Sequence, residues 1–251
     1  MDCWAACLGG CSDKMSGEHL VSKSLFMDEK VMVQGFSWCP EPKLIGIKSL
    51  TANILCTKHN SDLSHVDDGG AAAFDAFRQM MRISNIRKGM KGRITNVVRH
   101  ECDGPLLERW LLKTLINISY DGEKPIGEGA SVGNPTDQLV RIAYGLEPFP
   151  LGAGLSMIVR VGMRLNSNDT VKFAPIFRHG QYIAGGHFMF RGQSMLLSLW
   201  PGGPGNLNGL VVGGEDLGKC RMNFHNEKIL EKHGKDLSQT LTIHWPKPST
   251  D

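Results

Sequence analysis

Cysteine and histidine occur twice at metal-ligand spacing near the start of this chain, as Cys7-x3-Cys11 and Cys56-x2-His59. Together the two pairs offer three thiols and one imidazole, a common composition for a closed tetrahedral structural zinc. Pairs so far apart in sequence meet only if the segment between them folds back, so the set constrains the whole front of the molecule. Cys3 competes for a place, because Cys3-x3-Cys7 repeats the spacing of Cys7-x3-Cys11. Cys7 and Cys11 are preferred because they sit nearer the strand-forming segment. The seven cysteines, at 3, 7, 11, 39, 56, 102 and 220, are odd in number and crowd toward the start. In a chain expected to be cytoplasmic, this reads as metal ligation rather than a disulfide framework. A zinc staple also suits a front segment with few large aliphatics, where metal-binding energy becomes folding energy.

At 251 residues the chain can form one large domain or two smaller ones, and its composition is that of an ordinary globular protein. No apolar run reaches the roughly 20 uninterrupted residues of a membrane span. Asp2 and the absence of a basic, apolar leader point away from a signal peptide, hence the cytoplasmic expectation. A net charge of +3 permits nucleic-acid binding without arguing for it. The local run RQMMRISNIRKGMKGR, residues 78–93, says more: it carries Arg78, Arg82, Arg87, Lys88, Lys91 and Arg93 and no acidic residue. It reads either as a solvated helix face or as a stripe that tracks phosphates.

Two β-like runs, residues 30–38 and 43–56, are separated by Cys39-Pro40-Glu41-Pro42 and read as a hairpin. From Leu63 to Lys88 the spacing of Ala73, Phe74, Phe77, Met80 and Met81 predicts a helix, with Asp67 or Asp68 at its start. Gly69 and Gly70 leave that boundary open. A strand over 92–101 follows, then a helix over 105–119 announced by Asp103-Gly104-Pro105. A loop occupies 121–135 and a short helix begins at Thr136. Beyond 151 the pattern is mostly β. The expected fold is α+β, with an N-terminal zinc module over 1–88 and a β-rich α+β domain over 93–251. His65, Asp67 and Asp68 read as helix-entry residues, with an extra metal contact as the alternative. His100, Cys102, His179, His187 and His244 read as structural. The glycine-rich stretch 202–219 lacks the ending of a phosphate loop and reads as an ordinary loop.

Glu18-His19 follows the cysteine knuckle, and Asn60 adjoins His59. Carboxylate and amide oxygens suit a hard divalent cation. An imidazole beside such an ion can take a proton from water, because its unperturbed pKa lies near neutrality. The order is a Cys pair, SGEHLVSKSLF, two strands, then LTANILCTKHNSDLS. It resembles the HNH, or ββα-metal, nuclease superfamily in its zinc-stapled branch, over residues 3 to about 85.

The resemblance implies an endonuclease that hydrolyses DNA phosphodiester bonds, with RNA left open. His19 matches the general base, and Glu18 and Asn60 match the ligands of a catalytic Mg²⁺ or Mn²⁺. Cys7, Cys11, Cys56 and His59 match the structural Zn²⁺ cage, with Cys3 as the alternate. Asn53 or Thr51 lies where the family's middle asparagine pins its hairpin. The second pair here is Cys-His instead of Cys-Cys, and no proline follows His19. The rival expectation is a zinc-stabilised module that binds nucleic acid or protein without cutting it. Oligomeric state stays open, a homodimer included.

Overall fold

The computed structural model describes residues 3–23, 30–34, 38–89, 97–159, 172–190, 193–201, 211–212, 215–216, 221–224, 228–233 and 237–246. The fold is mixed α+β, organised around a multi-stranded sheet.

Strand β1 (Met15–His19) lies within the stretch read from sequence as a knuckle and its tail. It pairs antiparallel with β4 (Thr51–Cys56), Met15 opposite Cys56 and His19 opposite Thr51, with an irregularity at Gly17. The expected hairpin exists in part: β2 (Lys30–Val33) pairs antiparallel with β3 (Lys43–Gly46). A 3-10 turn over Ile47–Ser49 then separates β3 from β4, so the run 43–56 is two strands with different partners. Backbone bonds from Trp4 N to Ile54 O and from Leu20 N to Leu50 O extend the β1–β4 contact at both ends. Ile54, Leu55 and Cys56 are all buried, so both faces of β4 are covered at this end.

The helix that follows begins earlier than expected. Helix α1 (Thr57–Asp62) is capped by Cys56, whose Sγ accepts from His59 N; after Leu63, α2 runs over Ser64–Gly89. Neither Asp67 nor Asp68 starts a helix. Gly69 and Gly70 lie inside α2 and have a packing reason. A Cβ on Gly69 would sit 2.4 Å from Leu106 Cβ, and one on Gly70 2.4 Å from Trp110 Cγ. Both contacts are to α3 (Gly104–Ser119), so the glycines let two helices touch closely, offsetting their weak helix propensity.

Asp103 caps α3 as expected, accepting from Leu106 N at 2.8 Å. Almost every position of this helix is buried, including Lys113, Asn117 and Glu108. The short helix α4 (Asp137–Ala143) is capped by Thr136.

Behind these lies a seven-stranded sheet that contains β6 (Gly154–Val159), β7 (Lys172–Arg178), β8 (Tyr182–Phe190), β9 (Gln193–Ser198) and β12 (Arg221–Phe224). Its order is β12-β6-β9-β8-β7-β2-β3, so the β2–β3 hairpin extends it beyond β7. The strand expected over 92–101 is β5 (Val98–Asp103), which pairs parallel with β14 (Leu237–His244). One buried apolar cluster runs from Cys3 and Trp4 through Phe74, Trp110 and Phe188 to Ile243. The two segments expected from sequence thus share a core. No helix among the described residues is long and apolar enough to cross a membrane.

The minor histidines fall as follows. His65 caps back onto Asp62 O, and His100 contacts Gln239. His187 is buried against Ser194, and His244 pairs with Glu101 at the surface. His179 takes a positive φ in the turn between β7 and β8. Arg87 in the basic run is buried and Arg78 contacts Asp75, while residues 90–96 and most of the glycine-rich stretch 202–219 lie outside the described residues.

Candidate metal centre and the carboxylate beside it

Four ligand atoms from Cys3, Cys11, Cys56 and His59 lie within 4.8 Å of one another. Three contacts converge on one nitrogen: His59 Nδ1 is 3.3 Å from Cys3 Sγ, 3.5 Å from Cys11 Sγ and 3.3 Å from Cys56 Sγ. Around a tetrahedral zinc, ordinary Zn–S and Zn–N bond lengths put the sulfur and nitrogen corners about 3.6 Å apart. The donor set and its spacing therefore fit a structural zinc. Cys3, Cys56 and His59 are buried and Cys11 is exposed, so the centre sits at the edge of the core.

The first pair is Cys3 with Cys11; Cys7, which both expected pairings include, is not part of the cluster. A 3-10 turn over Ala6–Leu8 turns Cys7 to the surface, beside Asp137. Partial burial and that carboxylate push its thiol above the ordinary range. Cys3 is buried, and its Sγ accepts from Cys56 N at 3.4 Å.

The thiols differ electrostatically. Burial raises Cys3 to about 11, against weaker lowering by the Cys56 and Ala5 backbone N–H groups. Burial also opposes ionisation of Cys56, but hydrogen bonds from His59 N and Ser12 outweigh it and lower Cys56 to about 6. A helix N-terminus aimed at a sulfur is a recurrent source of such stabilisation. Tyr144 closes the site from α4. Its hydroxyl donates to His59 O at 2.9 Å, and its ring meets the imidazole edge-on. Burial holds that hydroxyl protonated, as its donor role requires.

The other residues singled out from sequence lie farther along β1 and on α1. Asn60 Nδ2 donates to Ser16 Oγ at 2.8 Å, which anchors the first turn of α1 to the strand that carries Glu18 and His19. Glu18 is 6% exposed, and its Oε1 receives Lys113 Nζ at 2.7 Å and Asn117 Nδ2 at 3.4 Å. Lys113 also reaches Asp67 Oδ2 at 2.6 Å, while Asp67 Oδ1 accepts from Ser22 Oγ at 2.6 Å. Asn117 Oδ1 in turn accepts from Trp4 Nε1 at 3.0 Å. One ammonium thus serves two carboxylates. His19 Nδ1 is buried without a hydrogen-bond partner among the described residues.

Sequence reasoning did not single out Lys113, Asn117, Ser22 or Tyr144, and it gave Asp67 a helix-entry role or an extra metal contact. One signal was present. Lys113 stands in LLERWLLKTLI, a helix apolar on every face, where a charge must be buried and so needs a partner.

Comparison of the chain with protein-family models, with curated proteins and with solved structures returned no match. No family is assigned. The functional reading rests on the site itself.

Proposed function

We propose that this protein is a zinc-stapled, metal-dependent endonuclease of the HNH type that hydrolyses DNA phosphodiester bonds. The observation that carries the reading is the pairing of β1 with β4 and the run of β4 directly into α1. This puts Glu18-His19 on one strand and Asn60 on the helix that follows its partner, a strand-strand-helix order. The bond from Asn60 to Ser16 ties the two halves of the site together.

In this reading His19 takes a proton from the attacking water. Glu18 and Asn60 would hold Mg²⁺ or Mn²⁺, and each keeps an oxygen for the purpose. The contacts of Glu18 fall on Oε1, and Asn60 uses its nitrogen toward Ser16. When bound, the ion supplies positive charge at the phosphate and at the leaving oxygen. Lys113 and Asn117 hold the Glu18 carboxylate in one orientation, the kind of outer support that metal-ligating groups commonly have. The zinc centre holds the start of α1 against the chain terminus, which keeps Asn60 in place.

A second reading has one observation in its favour. Glu18 already has a cation at 2.7 Å in Lys113, which suits a zinc-stabilised binding module that does not cut. Nicking of supercoiled plasmid, with and without Mg²⁺, separates the two. The nuclease reading expects Mg²⁺-dependent nicking that His19→Ala reduces at least about a hundredfold, the usual scale of a general base. Equal rates for wild type and His19→Ala would overturn it.

A further inference from the structure

We infer that a cavity of about 370 Å³, flanked by Tyr182 and Trp200, receives an unstacked base of single-stranded DNA. The cavity lies where the start of β8 and the residues after β9 meet α4, with Leu139 on its apolar side and Thr136, Gln138 and Glu128 as polar wall. Tyr182 and Trp200 are both half-exposed, so the core does not use up their rings.

The lining chemistry selects a planar, polar-edged ligand. Two aromatic rings provide faces on which any base can stack. The Gln138 amide offers donor and acceptor together, the pair that reads a base edge. A permanent cation stands beside the rings: the Arg178 guanidinium carbon is 5.9 Å from the centre of the Trp200 ring. Tyr182 Oη donates to Glu128 Oε2 at 3.2 Å, and Arg178 Nη1 lies 3.4 Å from Tyr182 Oη and 3.9 Å from Glu128 Oε2. A wholly apolar ligand would make no use of this charge. An extended peptide would need a free strand edge, whereas β8 pairs with β7 and β9, and β9 pairs with β6 and β8.

The cavity also lies close to the metal centre. Helix α4 carries Gln138 and Leu139 at one end and ends at Tyr144, which bonds His59 O. Six residues of helix span about 9 Å. The inference rests on the proposed nucleic-acid function, but its test needs no cleavage.

The test is binding of a fluorescein-labelled oligothymidylate and of an abasic strand of equal length, with no Mg²⁺ or Mn²⁺ added. Wild type is expected to prefer the base-bearing strand about tenfold. Trp200→Ala should erase that preference and Trp200→Phe should keep most of it. Arg178→Ala should weaken both strands alike. If circular dichroism shows Trp200→Ala to be unfolded, Gln138→Leu, at an exposed position, is read instead and should cut the preference about threefold. Equal binding of the two strands by wild type overturns the inference, and so does an intact preference in folded Trp200→Ala. If plasmid nicking fails while the Trp200-dependent preference holds, the cleavage reading is lost and this one stands.

Discussion

Lys113 Nζ lies 2.7 Å from Glu18 Oε1, and this ion pair joins the third helix to the first strand inside the core. Both side chains are more than nine-tenths buried, and Asp67 completes a triad around the same ammonium. Buried charges add little net stability when fully paired, but removing one partner strands the others. Lys113→Met should therefore cost about 3–5 kcal/mol in urea unfolding. A loss below about 1 kcal/mol would show that water or other groups already satisfy Glu18 and Asp67.

Gly70→Ala sets two effects against each other. Alanine gains about 1 kcal/mol in helix propensity over glycine. The new methyl carbon would meet the fully buried Trp110 ring at 2.4 Å, and overpacking of this kind costs about 1–3 kcal/mol. The clash should win, lowering Tm by a few degrees. Gly17→Ala, with nothing within 4 Å of its Cβ, is the control and should leave Tm within about 2 °C. A higher Tm for Gly70→Ala would mean that the two helices separate at little cost.

Much of the fold was legible in the sequence where the signal is local. The cap at Asp103, the helix after it and the strands beyond 151 all follow from spacing and turn residues. Strand pairing was not legible, because alternation marks a strand without naming its neighbour. Residues 43–56 thus read as one strand of a hairpin, although their second half pairs with β1. Gly69 and Gly70 looked like a boundary because the crossing helix that requires them lies far away in sequence. At the metal site, Cys56, His59 and Cys11 were readable from ligand spacing. The pairing of Cys3 with Cys11 was not, since x3 spacing favours Cys7 with either neighbour, whereas the 3-10 turn at Ala6–Leu8 leaves Cys7 exposed.

Thiol alkylation should follow burial and ionisation. Burial, with Asp103 adding to it, raises Cys102 to about 12, so at pH 8 roughly one molecule in ten thousand carries the thiolate. That fraction rises tenfold per pH unit until the thiol titrates. Among the cysteines of the described residues, Cys7, which is exposed, should be modified first by iodoacetamide, and Cys102 last. Cys3, Cys11 and Cys56 should resist until a chelator is added. Peptide mass spectrometry reads the order, and early labelling of Cys3 in the untreated protein would contradict it.

Loss of a residue of the candidate metal centre should also be felt at a distance. Cys56→Ser removes both a ligand and the sulfur that caps α1, so the front of the chain should lose protection in hydrogen exchange. Slow exchange should persist in α3, which has its own cap and core contacts. Uniform loss across both regions would mean that the metal centre and the sheet unfold as one unit.

The most direct test of the account is the zinc content of purified wild type, Cys3→Ser and Cys7→Ser, measured by elemental analysis. The geometry of Cys3, Cys11, Cys56 and His59 predicts about one zinc per chain in wild type and in Cys7→Ser, and a loss of most of it in Cys3→Ser. Zinc retained by Cys3→Ser and lost by Cys7→Ser, or no zinc in wild type, would contradict it.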